Sequence, residues 1–262
     1  MLHDLKVRIM AGVAAGLLGR QVKIVFYDDQ SNPSTVPGIY TKLLDVDKVD
    51  LVVGGYATNM NAPAMPVVMQ KNKTYISLFA LDVNAEFKYP KYFAVLPTGP
   101  ETKTSFTEGF FQVGLEQDPK PTTVALAAED AEFSRNACEG ARSNAKKLKL
   151  KIVYDKSYPP STTDFSPFVR AVQAANPDIF VICSYPLSSV GMAQTINELN
   201  YKPKIVGGAM VGLQATVFKQ RLGSKLNGIV NYETWVPTEA NLKIAGDFFK
   251  KYQSKAGAEG VD

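Results

Sequence analysis

The sequence contains very little histidine: one residue, His3, in a chain of 262. Catalysis by Ser-His-Asp or Cys-His groups needs a histidine beside the nucleophile, so the amino terminus would have to fold into a cleft. The spacings typical of zinc, calcium and nucleotide-phosphate sites are also missing, among them C-x-x-C, H-E-x-x-H and G-x-G-x-x-G. The sequence therefore predicts a protein that is not an enzyme and gives no candidate for a bound metal or cofactor.

Long apolar runs are missing as well. No stretch reaches the roughly 18 residues that a membrane-spanning helix needs. The run from Ile9 to Gly19 follows a charged start and so imitates the apolar middle of a secretory signal. No convincing small-x-small cleavage site follows it, and we interpret it as a helix end and a turn.

The sequence has only two cysteines, Cys138 and Cys183. They fall in a predicted helix and a predicted buried strand, and neither has neighbours typical of a metal site. Two buried free thiols are the simpler expectation, and the spacing leaves a disulfide open.

Charge of one sign is not in strong excess, since 29 Lys and Arg face 25 Asp and Glu and the net charge is +4. The densest basic cluster is Lys146, Lys147, Lys149 and Lys151, at a predicted helix end where cations suit the helix dipole. We predict a solvated face there and no nucleic-acid partner. Hydrophobic residues make up 45% of the chain, which is enough for an ordinary packed core.

Strands and helices alternate along the chain, which predicts an α/β fold of mostly parallel sheets flanked by helices. The predicted strands are 22–27, 51–54, 74–78, 92–95, 123–128, 151–154, 179–183, 204–206 and 228–232. The predicted helices are 101–115, 134–148, 187–199 and 242–256, with one more that Asp164 caps and Asn176-Pro177 ends.

Two polar, proline-containing stretches divide the chain, at 117–121 and at 235–238. We predict an early lobe formed by residues 1–119 and 236–262, and a middle lobe formed by residues 120–235.

In open α/β sheets, ligands bind beyond the carboxyl ends of the strands. After the strand at 51–54 come Tyr56 and Thr58, and then Asn61, which is predicted to cap a helix that begins at Ala62. A helix start beside the Thr58 hydroxyl suits a carboxylate, although simple capping explains the same residues.

The loops after other strands carry apolar side chains. Phe79, Ala80 and Leu81 follow the strand at 74–78, and could offer backbone N–H groups and an apolar wall. Phe133 and Tyr185 follow two strands of the middle lobe. Each ring by itself is better explained as core, but their shared position at strand ends predicts a pocket between the lobes.

A group of carboxylates, Glu129, Asp130 and Glu132, follows the strand at 123–128. A solvated loop is the simplest interpretation, and contacts at a hinge or rim come next. An α/β enzyme that works through these carboxylates is a lesser alternative.

Six stretches together resemble the branched-chain amino acid type of periplasmic substrate-binding protein. They are GLLGR at 16–20, VFYDDQSNP at 25–33, VGGYAT at 53–58, AAED at 127–130, YPPSTTDFS at 158–166 and NPD at 176–178. Their order, which extends over nearly the whole chain, is more specific than any one stretch.

The resemblance implies the type I architecture, in which two lobes close on a ligand around crossover segments. Thr58 falls where the family uses a hydroxyl for the ligand carboxylate, and Phe79, Ala80 and Leu81 fall on the loop that completes that site. Phe133 and Tyr185 fall on the aromatic positions that cover the ligand. The implied partner is the membrane permease of an ABC importer, and the implied location is the periplasm, with no leader peptide recognised in the chain.

Two positions depart from the amino-acid-binding members. Leu81 stands where they usually have a threonine, and Ala209 stands where they have an acidic partner for the ligand ammonium. Burying an ammonium without a carboxylate costs several kcal/mol. We therefore predict a carboxylate-bearing solute that lacks an α-amino group, such as an aromatic acid.

The chain is short for this family: the resemblance implies that a first strand and a returning segment after Gly260 are lacking, so that it is either a fragment or a compact member. Apolar strand faces left uncovered would favour a homodimer or strand exchange. A ligand-sensing domain of a receptor with the same fold is the second hypothesis for the function.

Overall fold

The structure is a computed structural model, and it describes residues 20–96, 98–233 and 236–256. His3, the run from Ile9 to Gly19 and Trp235, which entered the predictions above, lie outside the described residues. None of the described helices is both long and apolar enough to cross a membrane.

The smaller of the two sheets has three parallel strands in the order β1-β2-β3. The strands are β1 (Val52–Tyr56), β2 (Tyr75–Leu78) and β3 (Tyr92–Ala94). The helices of this lobe are α1 (Val36–Thr41), α2 (Thr58–Asn61), α3 (Met65–Gln70) and α4 (Asn84–Phe87). Val36, Met65 and Tyr75 are fully or almost fully buried between the helices and the sheet, and form its core.

The larger sheet has five parallel strands in the order β5-β4-β6-β7-β8. The strands are β4 (Thr123–Glu129), β5 (Lys151–Tyr158), β6 (Ile179–Ser184), β7 (Ile205–Met210) and β8 (Ile229–Val230). The helices of this lobe are α5 (Thr102–Leu115), α6 (Glu132–Lys147), α7 (Ser166–Ala175), α8 (Pro186–Glu198) and α9 (Thr216–Leu222). A last helix, α10 (Glu239–Ala256), follows in the chain. This strand order is a doubly wound sheet, which places the strand-end loops together at one edge.

Each face of the larger sheet carries its own apolar cluster, because β4, β6 and β7 are buried along almost their whole length. Helices α5 and α6 cover one face. They approach closely at Gly140, where an added Cβ would overlap the backbone carbonyl of Lys103. The division into lobes at residues 119 and 236 stays a prediction, while the packing joins α5 to the larger sheet through Phe106, Phe110 and Phe111.

The α/β architecture of parallel sheets flanked by helices is confirmed, but the predicted strand at 22–27 is wrong. Residues 21–29 form no strand, and Val22, Ile24 and Phe26 are 40%, 37% and 39% exposed. Alternating apolar residues favour an extended chain, but a strand also needs a neighbour that accepts its backbone hydrogen bonds.

The expectation of two free thiols is also wrong. Cys138 on α6 and Cys183 on β6 form a disulfide, with their Cα atoms 5.9 Å apart. Both residues are fully buried. Their separation of 45 positions along the chain does not indicate this proximity, which arises because α6 packs on the sheet directly over β6.

Candidate functional site

The early-lobe part of the site begins with a sharp turn after β1. Ala57 has a φ of 84°, which a non-glycine residue rarely adopts, and its N–H donates to the carbonyl of Leu78 at 3.2 Å. The turn sends the chain from the end of β1 directly into α2, so that the helix starts at Thr58.

Asn61 does not cap a helix at Ala62 with its side chain, although the sequence predicted that it would. It lies inside the helical run that starts at Thr58, and its Nδ2 donates to the carbonyls of Gly55 and Ala57, each at 2.7 Å. Its Oδ1 accepts a hydrogen bond from the Tyr75 hydroxyl at 2.8 Å. The Asn61 amide therefore fixes the turn that precedes Thr58, because a side chain that satisfies a loop's carbonyls makes that loop rigid.

The Thr58 hydroxyl joins the loops that follow β1 and β2. Thr58 is fully buried, and its Oγ1 accepts a hydrogen bond from the Leu81 N–H at 3.0 Å. A hydroxyl has one hydrogen to donate and two lone pairs, so Thr58 can hold Leu81 and still donate to another acceptor. The Leu81 N–H, in contrast, is already engaged by Thr58.

The other predicted residues of this lobe surround that hydrogen bond. Ala80 and Leu81 are buried, whereas Phe79 and Tyr56 are 38% and 42% exposed, with their ring centroids 5.9 Å apart. Leu81 packs in the same apolar cluster as Phe133 of α6, and therefore extends the core of the larger sheet toward the early lobe.

The middle lobe contributes two packed rings. Phe133, in the first turn of α6, is 3% exposed, and its ring centroid is 5.6 Å from that of Tyr185, the residue before α8. The Cys138–Cys183 disulfide joins the same two elements, α6 and the strand that leads to Tyr185. It restrains the elements that carry the two rings.

Side chains from the two lobes meet directly. The Tyr185 hydroxyl donates to Oδ1 of Asn59, the neighbour of Thr58, at 3.0 Å. The Asn136 side chain reaches the Leu81 carbonyl at 3.4 Å. Burial raises the pKa of the Tyr185 hydroxyl, with smaller contributions from Tyr56 and Glu129, and so keeps the hydroxyl protonated and able to donate.

Two further rings at this place were not predicted. The Phe106 ring centroid lies 5.3 Å from that of Phe133 and 4.6 Å from that of Tyr232. Tyr232 follows β8, and burial raises the pKa of its hydroxyl, as does the nearby Tyr56 of the early lobe. The position of Tyr232 at the end of a strand was a usable signal, but nothing in the sequence of α5 distinguished Phe106 from its buried neighbours.

A cavity of about 400 Å³ lies behind these rings. Phe106 and Tyr232 form one wall, and Phe110 and Val230 contribute further apolar surface. Thr98, Ser105, Asn231 and Glu233 add polar groups. The volume falls in the range of pockets for small molecules.

The sequence suggested that the three carboxylates at the end of β4 form a solvated loop, but the structure gives them different environments. Asp130 is exposed and pairs with Arg135, but Glu129 is only 5% exposed and its Oε2 accepts a hydrogen bond from the Tyr185 N–H at 2.9 Å. For Glu132, burial raises the pKa; Arg135 opposes this shift and Glu86 of the early lobe adds to it. The group is divided between core and surface because β4 ends at Glu129.

Ala209 is fully buried on β7, opposite Cys183 in the strand register. It lies in the apolar cluster that contains Phe106 and Phe133. The side chain at this position is therefore a methyl group with no charge.

The strand-end loops of two α/β lobes thus meet around a set of aromatic rings. The model of the family described as "Periplasmic binding protein" matches residues 8–261. The chain belongs to this family, and the resemblance to its branched-chain amino acid type is confirmed.

Individual relatives agree with this assignment. A Leu/Ile/Val-binding protein homolog 7 from Brucella abortus (strain 2308) is 24% identical over 198 residues, which are 74% of this chain and 49% of the relative. The chain thus spans about half the length of the curated relatives it matches.

Solved structures show the same fold at low identity. The leucine-binding protein LivK from Thermotoga maritima superposes with a TM-score of 0.81 and 16% identity, over 97% of this chain and 71% of that one. A solute-binding protein of an ABC transporter from Rhodopseudomonas palustris BisB5, in complex with 3,4-dihydroxybenzoic acid, gives 0.74 and 18% over 95% and 68%.

Proposed function

We propose that this chain captures a small carboxylate-bearing solute between its lobes, outside the cytoplasmic membrane, and delivers it to the permease of an ABC importer. The observation that carries the proposal is the hydrogen bond between Tyr185 and Asn59, because it brings the predicted rings of one lobe to the predicted acid site of the other. The chemistry required is capture and release without turnover.

The acid end of the solute is assigned to Thr58. Its oxygen is held by the Leu81 N–H, which orients the hydroxyl hydrogen toward other acceptors. The rest of this end is assigned to the backbone around Ala80, because the Leu81 N–H is already engaged by Thr58. A hydrogen bond from a hydroxyl to an ionised carboxylate is stronger than one between neutral groups, so this contact orients the solute.

The body of the solute is assigned to the rings of Phe133 and Tyr185, with Phe106 and Tyr232 behind them. Aromatic side chains prefer offset or edge-to-face contact with other rings, and the ring pairs here are T-shaped or tilted. With no carboxylate at Ala209, an aromatic or aliphatic acid without an α-amino group suits the site better than an amino acid.

The relatives' ligands define the first experiment. Thermal unfolding is measured with leucine, with 3,4-dihydroxybenzoate and with simple aliphatic acids, because a solute that binds only the folded chain raises its melting temperature. We expect the aromatic acid to give the largest increase. Strong stabilisation by leucine would contradict the assignment at Ala209.

Calorimetry of the best solute then tests Thr58. Thr58→Ala removes the hydroxyl and is expected to weaken binding by roughly 1–3 kcal/mol. Thr58→Ser is the matched control, since it retains the hydroxyl and should bind within a few-fold of the native chain. Equal affinity of the alanine variant would remove Thr58 from the site.

A further inference from the structure

Glu129 lies at the carboxyl end of β4, which runs between β5 and β6 in the larger sheet. It is the last residue of β4, it stands opposite Tyr158 of β5 in the strand register, and the preceding residue pairs with Cys183 of β6. It is 5% exposed. A carboxylate in this position has lost almost all contact with water, so it needs partners within the protein.

The partner of Glu129 is the backbone that starts α8. Its Oε2 accepts from the N–H of Tyr185, the residue that precedes the first turn of this 13-residue helix. The start of a helix favours a negative charge, and a hydrogen bond to an ionised acceptor is stronger than a neutral one. Glu129 therefore fixes the backbone of the residue whose side chain crosses to the early lobe.

We propose that Glu129 is a positioning residue for the cleft: its carboxylate holds the Tyr185 backbone, and the Tyr185 hydroxyl then reaches Asn59 and closes the two lobes on each other. Two geometric facts support the proposal. Tyr185 uses its N–H for Glu129 and its hydroxyl for Asn59, and its ring contacts Phe133 between those two bonds. The test has two parts: calorimetry with probe solutes, which rests on the proposed function, and amide hydrogen exchange, which does not.

The first part of the test needs no solute. Amide hydrogen exchange and the NMR signals of isotope-labelled tyrosine rings are compared in the native chain, Glu129→Gln and Asn59→Ala. Glutamine keeps the shape but not the charge, so we expect exchange at the Tyr185 amide to become about ten-fold faster. Asn59→Ala should leave that amide protected, and both variants should shift the Tyr185 ring signals.

A merely structural role for Glu129 gives a different result. Exchange would then accelerate in β4, β5 and β6 alike, while the Tyr185 ring signals of the folded chain would not move. That outcome, or native exchange at Tyr185 in Glu129→Gln, overturns the proposal. The isosteric substitution is chosen because Glu129→Ala would leave a buried cavity and could prevent folding.

The second part uses 3,4-dihydroxybenzoate and leucine as probes in calorimetry. Glu129→Gln should weaken the probe that binds by about ten-fold. Asp130→Asn is the control, because Asp130 is the exposed neighbour that pairs with Arg135, and it should change affinity less than two-fold. Unchanged affinity in Glu129→Gln overturns the proposal. If neither probe binds the native chain, the solute class proposed above fails, and the exchange experiment still decides the role of Glu129.

Discussion

Thr58 is a side chain predicted to bind a solute that also holds two loops of the fold together. Its hydroxyl oxygen is the acceptor for the buried Leu81 N–H, so the loops after β1 and β2 are joined before any solute arrives. The residue that the sequence suggested for binding is therefore also part of the scaffold, and the two roles have to be measured separately.

Thr58→Val tests the structural role. Valine has nearly the same shape but cannot accept a hydrogen bond, which leaves the Leu81 N–H buried without a partner. We expect the free energy of unfolding to fall by about 1–3 kcal/mol in denaturant titrations. Thr58→Ser should lose clearly less unfolding free energy. An unchanged free energy of unfolding in Thr58→Val would show that the hydrogen bond does not contribute.

Asp178 makes the fold sensitive to acid. Burial tends to raise the pKa of its carboxyl, but hydrogen bonds from Lys204 and from the Thr122 and Thr123 backbone outweigh burial and hold the pKa below its usual value. A carboxyl whose pKa is lower in the folded chain stabilises it above the unfolded pKa of about 3.9, and this contribution is lost as the pH falls below that value.

Asp178→Asn is the matched variant. At pH 7 it should melt at a lower temperature than the native chain, and the difference should shrink as the pH falls from about 4 toward 2. Melting curves recorded over that range check the expectation. A difference in melting temperature that does not change with pH would show that Asp178 acts through hydrogen-bond geometry alone.

At the residue scale, position in the chain was sufficient to find residues that lie near one another, while their role in binding stays a prediction. Thr58, Phe133 and Tyr185 could be singled out because they follow strands, and strand ends of parallel sheets meet at one edge. Asn59 and Phe106 could not, since their importance comes from packing partners more than 20 residues away in the chain.

At the scale of elements, the close packing of α5 against α6 at Gly140 depends on the path of both helices. Helix α5 crosses α6 so closely at this point that the Lys103 carbonyl occupies the space of a side chain. The Asn144 amide strengthens the same contact by donating to the Thr104 carbonyl at 2.8 Å and to the Thr107 hydroxyl at 3.1 Å. Because α5 carries Phe106, this contact also determines where that ring lies.

Gly140→Ala should therefore destabilise the chain by about 1–3 kcal/mol or more, because the helices must separate. Gly109→Ala is the control: it lies on α5 with no atom within 4 Å of an added Cβ. It should be neutral or stabilise by about 0.5–1 kcal/mol, since alanine favours helix. Chemical denaturation of both variants tests this expectation. Similar losses of unfolding free energy in both variants would contradict the close approach of the two helices.

The elements themselves were largely predictable, with two instructive failures. Burial on both faces gives β4, β6 and β7 continuous apolar sequences, and their positions were predicted to within a few residues. The expected strand at 22–27 failed because pairing depends on a neighbour that local sequence does not describe. The expectation of two free thiols failed for the same reason, since the disulfide depends on how α6 lies over β6.

At the scale of the whole molecule, the described part of the chain brings together two sheets whose strand-end loops meet at Asn59 and Tyr185. A solute that contacts both lobes stabilises the closed arrangement only by binding it better than the open one. The interlobe hydrogen bond contributes to the same equilibrium without a solute. Loss of Asn59 should therefore reduce the closed population, and added solute should restore it.

This expectation can be measured with a pair of spin labels. The only two cysteines of the chain form the buried disulfide, so cysteines introduced at Ala85 and Leu187, both exposed, would be labelled selectively. The distance distribution between the labels should shorten and narrow when the stabilising solute is added, and should broaden in Asn59→Ala without solute. A distribution that responds to neither change would mean that the lobes form one rigid body, and capture by closure would have to be abandoned.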